Sequence, residues 1–210
     1  MATSAEHERQ QLCDLMLHVG PEAPTLCGGW KVRDLAAHLV VRERRPDGAI
    51  GILVHPLASY AEKVRVQESE RDFEEIIERV RTGPPRWSPT HVDGVDRFVN
   101  TIEFFIHHED VRRAQDQWAP RTLDEELQDD VYSTLSRGSR MLARKSPAGL
   151  VLEAPGRDAI VANRHEPKVT ASGPVGELAL FIYGRQRHSR AKLSGPADAV
   201  AATQSASFGV

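Results

Sequence analysis

The sequence predicts an α+β protein in which a bundle of helices is followed by a small α+β domain. Three observations carry that reading. Apolar residues recur at helical spacing through roughly the first two-thirds of the chain. The connections between those segments are short, which favours antiparallel neighbours in a bundle. Beyond Lys145-Ser-Pro-Ala-Gly the texture changes to short apolar runs separated by turn residues, which read as strands. The expected domains are therefore 1–147, helical, and 148–210, mixed. About 60 residues is marginal for independent stability, so the second domain is expected to pack on the first.

The first helix is expected from about Ser4, as N-cap, to His18, with Leu12, Leu15, Met16 and Val19 at helical spacing. Gly20-Pro21 ends it. After the loop PEAPTLCGG, the segment WKVRDLAAHLVVRERR places Val32, Leu35, Ala36 and Leu39 on one stripe. Asp34 in its first turn and the basic residues at its end follow the helix dipole. Two helical stretches are expected across 57–81; in the second, Phe73, Ile76, Ile77 and Val80 follow Ser69, with Asp72 three residues on. A long central helix is expected from about Asp93 to Gln115, with a stripe of Val95, Phe98, Val99, Ile102, Phe105 and Ile106. A last helix opens at Thr122 with Glu125 and runs through Leu127, Val131, Leu135 and Leu142. Strands are expected at Leu150–Leu152, Ala159–Ala162, Val169–Ala171 and Ala191–Leu193, and helices at Val175–Tyr183 and Ala197–Ala206.

Composition narrows the function. Hydrophobic residues at 40% and charged residues at 27% fit a folded chain. Lys and Arg at 27 against Asp and Glu at 30 exclude a strongly basic nucleic-acid binder. No apolar run approaches the roughly 20 residues that span a bilayer, and MATSAEHERQQ lacks the apolar region of a signal peptide. A cytoplasmic protein without membrane partners is expected. Cys13 and Cys27 make neither a disulfide framework nor a zinc knuckle, so any metal must lean on His and carboxylates.

Glu103-Phe-Phe-Ile-His107 puts two side chains one turn apart on one helix face, at the margin of the apolar stripe. Taken alone, such a pair is commonly a surface carboxylate beside a His. His38 flanks the stripe of Leu35 and Leu39, where a lone His is commonly a satisfied, partly buried residue. Together, His38, Glu103 and His107 form a set of two His and one carboxylate, suited to zinc with an open position or to iron, manganese or nickel. The string beginning His108-Glu109 has Arg112 where a zincin needs its second His, so Glu109 and Asp110 are expected to orient ligands or to lie on the surface. Gly28-Gly29 lacks a phosphate-loop Lys, no GxSxG is present, and Arg42 to Arg45 reads as a solvated helix end. Cys27 is expected to be a packed thiol, because Leu26 and Trp30 suggest a loop folded onto the bundle.

Three segments form a family pattern: Pro24-Thr-Leu-Cys-Gly-Gly-Trp-Lys-Val-Arg-Asp-Leu-Ala-Ala-His38, Asn100-Thr-Ile-Glu103-Phe-Phe-Ile-His107-His-Glu-Asp-Val-Arg-Arg-Ala114, and Ser172-Gly-Pro-Val-Gly-Glu-Leu. The chain resembles the actinobacterial mycothiol-dependent maleylpyruvate isomerase family, within the DinB-like metal-binding bundles, over nearly its whole length. The resemblance implies a DinB-like four-helix bundle, a small domain similar to sterol carrier protein, and a metal, usually zinc, held by His38, Glu103 and His107. It also implies a mycothiol-like thiol that adds to a conjugated double bond, allows rotation and is eliminated. VVRERRPD after His38 marks a distinct subgroup, and Lys31 replaces the Thr or Ser that would supply one arm of a capping box. A metal-activated thiolate could equally open an epoxide or displace a leaving group, so thiol transfer and isomerisation of a small electrophile are both expected. Arg185 and Arg190 are the catalytic candidates, for binding a substrate carboxylate, against a plain reading as solvated turn residues. The alternatives are a non-catalytic metal-binding or small-molecule-binding protein, and a hydrolase that uses metal-activated water.

Overall fold

Thr3, one residue before the expected cap, starts helix α1 (Ser4–Val19): its hydroxyl accepts from Glu6 N at 3.3 Å, and Glu6 Oε2 accepts from Thr3 N at 2.8 Å. This reciprocal box satisfies two of the amide donors that a helix leaves free at its start. The computed structural model describes residues 2–45, 58–85 and 100–208. Val95, Phe98 and Val99, and the start of the expected central helix, lie outside those residues.

The chain forms an α+β architecture whose N-terminal part is helical. By packing it divides into two compact units, Met1–Pro120 and Arg121–Val210. The first unit holds α1, α2 (Val32–Arg44), α3 (Ala58–Ser69), α4 (Phe73–Arg81) and α5 (Thr101–Arg112). Helix α1 packs on α5 and α4, and α2 packs on α3 and α4. Their shared core joins Leu12 and Met16 of α1, Leu35 and Leu39 of α2, Ile76, Ile77 and Val80 of α4, and Phe104 and Val111 of α5. Asp72 itself caps α4, accepting from Glu74 N and Glu75 N at 3.0 and 3.2 Å, so Ser69 ends α3 rather than starting a box.

In the second unit, α6 (Glu125–Leu142) starts at Asp124, whose carboxylate accepts from Leu127 N at 2.8 Å; the Thr122 cap expected from the sequence is displaced by two residues. Helix α6 packs on β2 and on α7, so the packing units divide the chain at 120/121, whereas the sequence texture changes near 147. Strands β1 (Gly149–Glu153), β2 (Ile160–Asn163), β3 (Lys168–Ser172) and β4 (Lys192–Ser194) form one sheet in the order β2-β1-β3-β4. The β1–β3 pair is parallel and the β1–β2 and β3–β4 pairs are antiparallel, with Leu150 opposite Val169 and Ala171 opposite Leu193. Gly149 fits where other residues do not, because a Cβ there would collide with the His165 carbonyl oxygen. Every residue of α7 (Val175–Ile182) is buried, its apolar run interrupted only by Glu177, and α8 (Ala197–Ser205) packs on β3. No helix among the described residues is long and apolar enough to cross a membrane.

Candidate metal centre

Lys31 opens α2 with the one box arm left to it: its backbone N–H donates to Asp34 Oδ2 at 3.0 Å, while its side chain donates to Glu22. Just before it, Gly28 and Gly29 adopt φ of +50° and +89°, a left-handed turn that side chains resist. That turn brings Cys27 and Trp30 back toward the bundle. Thr25 Oγ1 holds it by donating to Trp30 O at 2.7 Å, and the Trp30 ring lies 5.2 Å from the His38 ring. Arg65 covers Trp30 as well, with its guanidinium carbon 4.9 Å from the indole ring.

His38 from α2 meets Glu103 and His107 from α5. Glu103 Oε1 lies 3.5 Å from His38 Nε2 and 3.3 Å from His107 Nε2. The three residues each offer one donor atom, all within 4.8 Å of one another. Two donors bound to one tetrahedral zinc stand roughly 3.3 Å apart, so the spacing and the two-imidazole, one-carboxylate chemistry both fit a divalent cation. The fold thus brings the three candidate donors into one cluster.

Further residues frame this cluster. Asp110, fully buried, accepts at 3.0 Å from the Nδ1 side of His107, which fixes the ring so that Nε2 faces Glu103. Glu109 is equally buried but turns to Arg112 and Arg113, at 2.8 and 2.6 Å, so neither acid is a surface group. Cys27 is more than a packed thiol: its Sγ donates to Asp110 Oδ2 at 3.0 Å and lies 3.7 Å from His107 Nδ1. Cys27, His107 and Asp110 make a second set of three donors within 4.8 Å. The solvated helix end expected at Arg42 to Arg45 is also corrected. Arg42 lies 3.5 Å from Glu103 Oε1 and donates to Asn100 Oδ1 at 2.7 Å, and Arg44 donates to Arg79 O, Thr82 Oγ1 and Gly83 O. The sequence carries a signal for Asp110, since His107 and Asp110 stand three apart on one helix face. Nothing local marks Cys27 or Arg42, which reach the cluster only through tertiary packing.

The ionisation of the cluster follows from its contacts. Burial disfavours the charged form of Glu103, but hydrogen bonds from His107 and His38, with the charges of His107 and Arg42, outweigh it and hold the carboxyl well below its usual range. Burial pulls His107 down, yet its bonds to Asp110, Cys27 and Glu103 raise it well above the usual imidazole value. His38 is lowered, chiefly by burial, against the pull of Glu103, so it is the neutral imidazole of the pair.

Arg185 and Arg190 lie in the second unit. Arg185 precedes a short 3-10 turn, Gln186–His188, and donates to Tyr183 O at 2.6 Å. The backbone N–H of Arg190 donates to buried Glu177 at 2.6 Å.

Fold and site together define an α+β protein with a helical unit that gathers cation donors from two of its helices. The sequence matches no protein-family model and no curated protein. The fold is similar to the crystal structures of the mycothiol-dependent maleylpyruvate isomerase and of a histidine-to-alanine mutant of it. Each has a TM-score of 0.59 and 15% identity, over 92% of this chain and 96% of theirs.

Proposed function

We propose that the protein is a metal-dependent enzyme that uses a low-molecular-weight thiol, mycothiol or a close equivalent, for thiol transfer to, or cis-trans isomerisation of, a small electrophile. The observation that carries this reading is the convergence of His38, Glu103 and His107 from two helices, with three protein donors and no protein nucleophile among them. The shared fold of a mycothiol-dependent isomerase supports the choice of thiol and of reaction. A divalent cation, zinc by its donor set, would supply an open position at which a bound thiol loses its proton at neutral pH.

The chain's own residues do the rest. His38 presents a neutral Nε2, Glu103 keeps its charge, and Asp110 holds His107 in register through Nδ1. Arg185 and Arg190 are the proposed holders of a substrate carboxylate, by the planar geometry of a guanidinium. The test is metal analysis followed by assay of metal-loaded protein with mycothiol and conjugated carbonyl substrates. Activity is expected to require both metal and thiol, and Glu103→Gln to lose metal and activity while far-ultraviolet circular dichroism is unchanged. Turnover of a hydrolysable substrate with no thiol present would overturn the thiol reading and make water the nucleophile.

A second reading rests on the Cys27, His107 and Asp110 donors, at 3.0 to 3.7 Å from one another. A cation held there would make the protein a metal-binding rather than a thiol-transferring one. It predicts that Cys27→Ala empties the site while Glu103→Gln keeps the metal, the reverse of the first reading.

A further inference from the structure

Arg140 and Arg144 stand one turn apart at the end of α6, and Arg164 and His165 follow β2 on the facing side of the same open cavity, of about 350 Å³. No Asp, Glu, Phe, Tyr or Trp lines it. All three arginines are exposed, and none has an ion-pair partner among the described residues. The two elements are tied together rather than merely adjacent. Buried Asn163 donates through Nδ2 to Ala143 O at the helix end and accepts from His165 N, both at 2.9 Å. The His165 carbonyl packs so closely on Gly149 that a Cβ there would collide with it. Strand β2 is an outer strand of the sheet, and its Val161, Ala162 and Asn163 line the groove.

A helix C-terminus favours cations by its dipole, and that accounts for Arg140 and Arg144. It does not account for Arg164 and His165, which come from beyond the strand. Three guanidinium groups around one concave space repel one another until an anion lies between them, and each offers paired donors matched to phosphate or carboxylate oxygens. The volume suits a small molecule. The absence of large aromatic side chains gives nucleic-acid bases nothing to stack on. We propose that this groove binds a small ligand bearing two or more anionic groups, of the phosphate or diphosphate type, held by Arg140, Arg144 and Arg164.

Titration calorimetry of the full chain with inorganic pyrophosphate at low ionic strength tests this, with acetate at matched ionic strength as comparator. The expected result is saturable binding at one site per chain, weakened about tenfold or more by Arg144→Gln with Arg164→Gln, and not reproduced by acetate. Glu103→Gln should bind pyrophosphate as the parent does, which separates this site from the metal centre. The proposal is overturned if pyrophosphate does not saturate, if the double variant, shown folded by circular dichroism, binds it unchanged, or if acetate binds equally well.

Discussion

The two units stabilise their interiors by different means. The helical unit buries Glu8, Arg9, Glu43, Glu68, His108, Glu109 and Arg113, and pairs them: Arg9 with Glu43, His108 with Glu8, Arg79 with Glu68, Arg113 with Glu109. In the second unit, Asp130 and Glu177 are the ionisable side chains buried among the described residues, and the interior is made of Leu150, Leu152, Val169, Leu178, Leu180 and Phe181. The contrast has a physical reason. A sheet takes its register from backbone ladders and the two-residue alternation of its strands, whereas packed helices have no ladder between them. In the helical unit, the pairs Arg9–Glu43, His108–Glu8 and Arg79–Glu68 join different helices beside the shared apolar core, at a cost in desolvation that the pairing must offset.

Four tests bear on the contrast, in descending order of effect. Arg9→Ala should cost about 4 kcal/mol, because the buried carboxylate of Glu43 loses two charge-assisted bonds of 2.6 Å and the cation that balances it. Urea denaturation measures the loss, and Arg9→Met combined with Glu43→Leu should recover most of it. Leu150→Ala in the second unit should cost about 3 kcal/mol from lost burial and the cavity left behind. Hydrogen exchange read strand by strand should place that loss in β1 to β3. A larger loss from Leu150→Ala than from Arg9→Ala would break the comparison.

The third test uses pH. Burial pushes the Cys13 thiol from its ordinary 9.0 up to about 12. The raised value means that the folded state holds the proton more tightly, so this contribution is intact below pH 9 and is lost as pH rises through 9 to about 12. By pH 10 the loss should be about 1.4 kcal/mol, and Cys13→Ala should flatten the fall of stability with pH over that interval. Last, Asp72→Ala and Asp124→Ala each remove a cap and should cost about 1 kcal/mol, in the helical and the mixed unit alike. Equal costs are expected because a cap bonds only to its own first turn. A clear inequality would show that the surroundings of the unit reach even its helix ends.

Local chemistry accounts for most of what the sequence makes legible. The four strands lie within two residues of their expected limits, since the β-branched and small residues between turns have no helical period to compete with. The helix starts differ from expectation by one to three residues at Ser4, Ser69 and Thr122, because several side chains there could cap and only one geometry closes. The ExxxH pair is legible because a spacing of four on a helix fixes which face two side chains share. That His38 stands 3.5 Å from Glu103 depends on how α2 and α5 are brought together, and spacing alone cannot supply that.

The same division separates what this sequence determined by itself from what only the tertiary structure decided. Periodicity, turn residues and composition determined the α+β class, the order of elements and the three donors worth watching. Tertiary packing decided that α6 sits with the sheet, that Arg42 turns in to Glu103, and that Cys27 and Asp110 close around the far side of His107. Secondary structure is written in contacts a few residues apart, whereas each of these depends on residues up to 83 positions apart meeting in a buried place. There the balance of desolvation against hydrogen bonding is set by every neighbour at once.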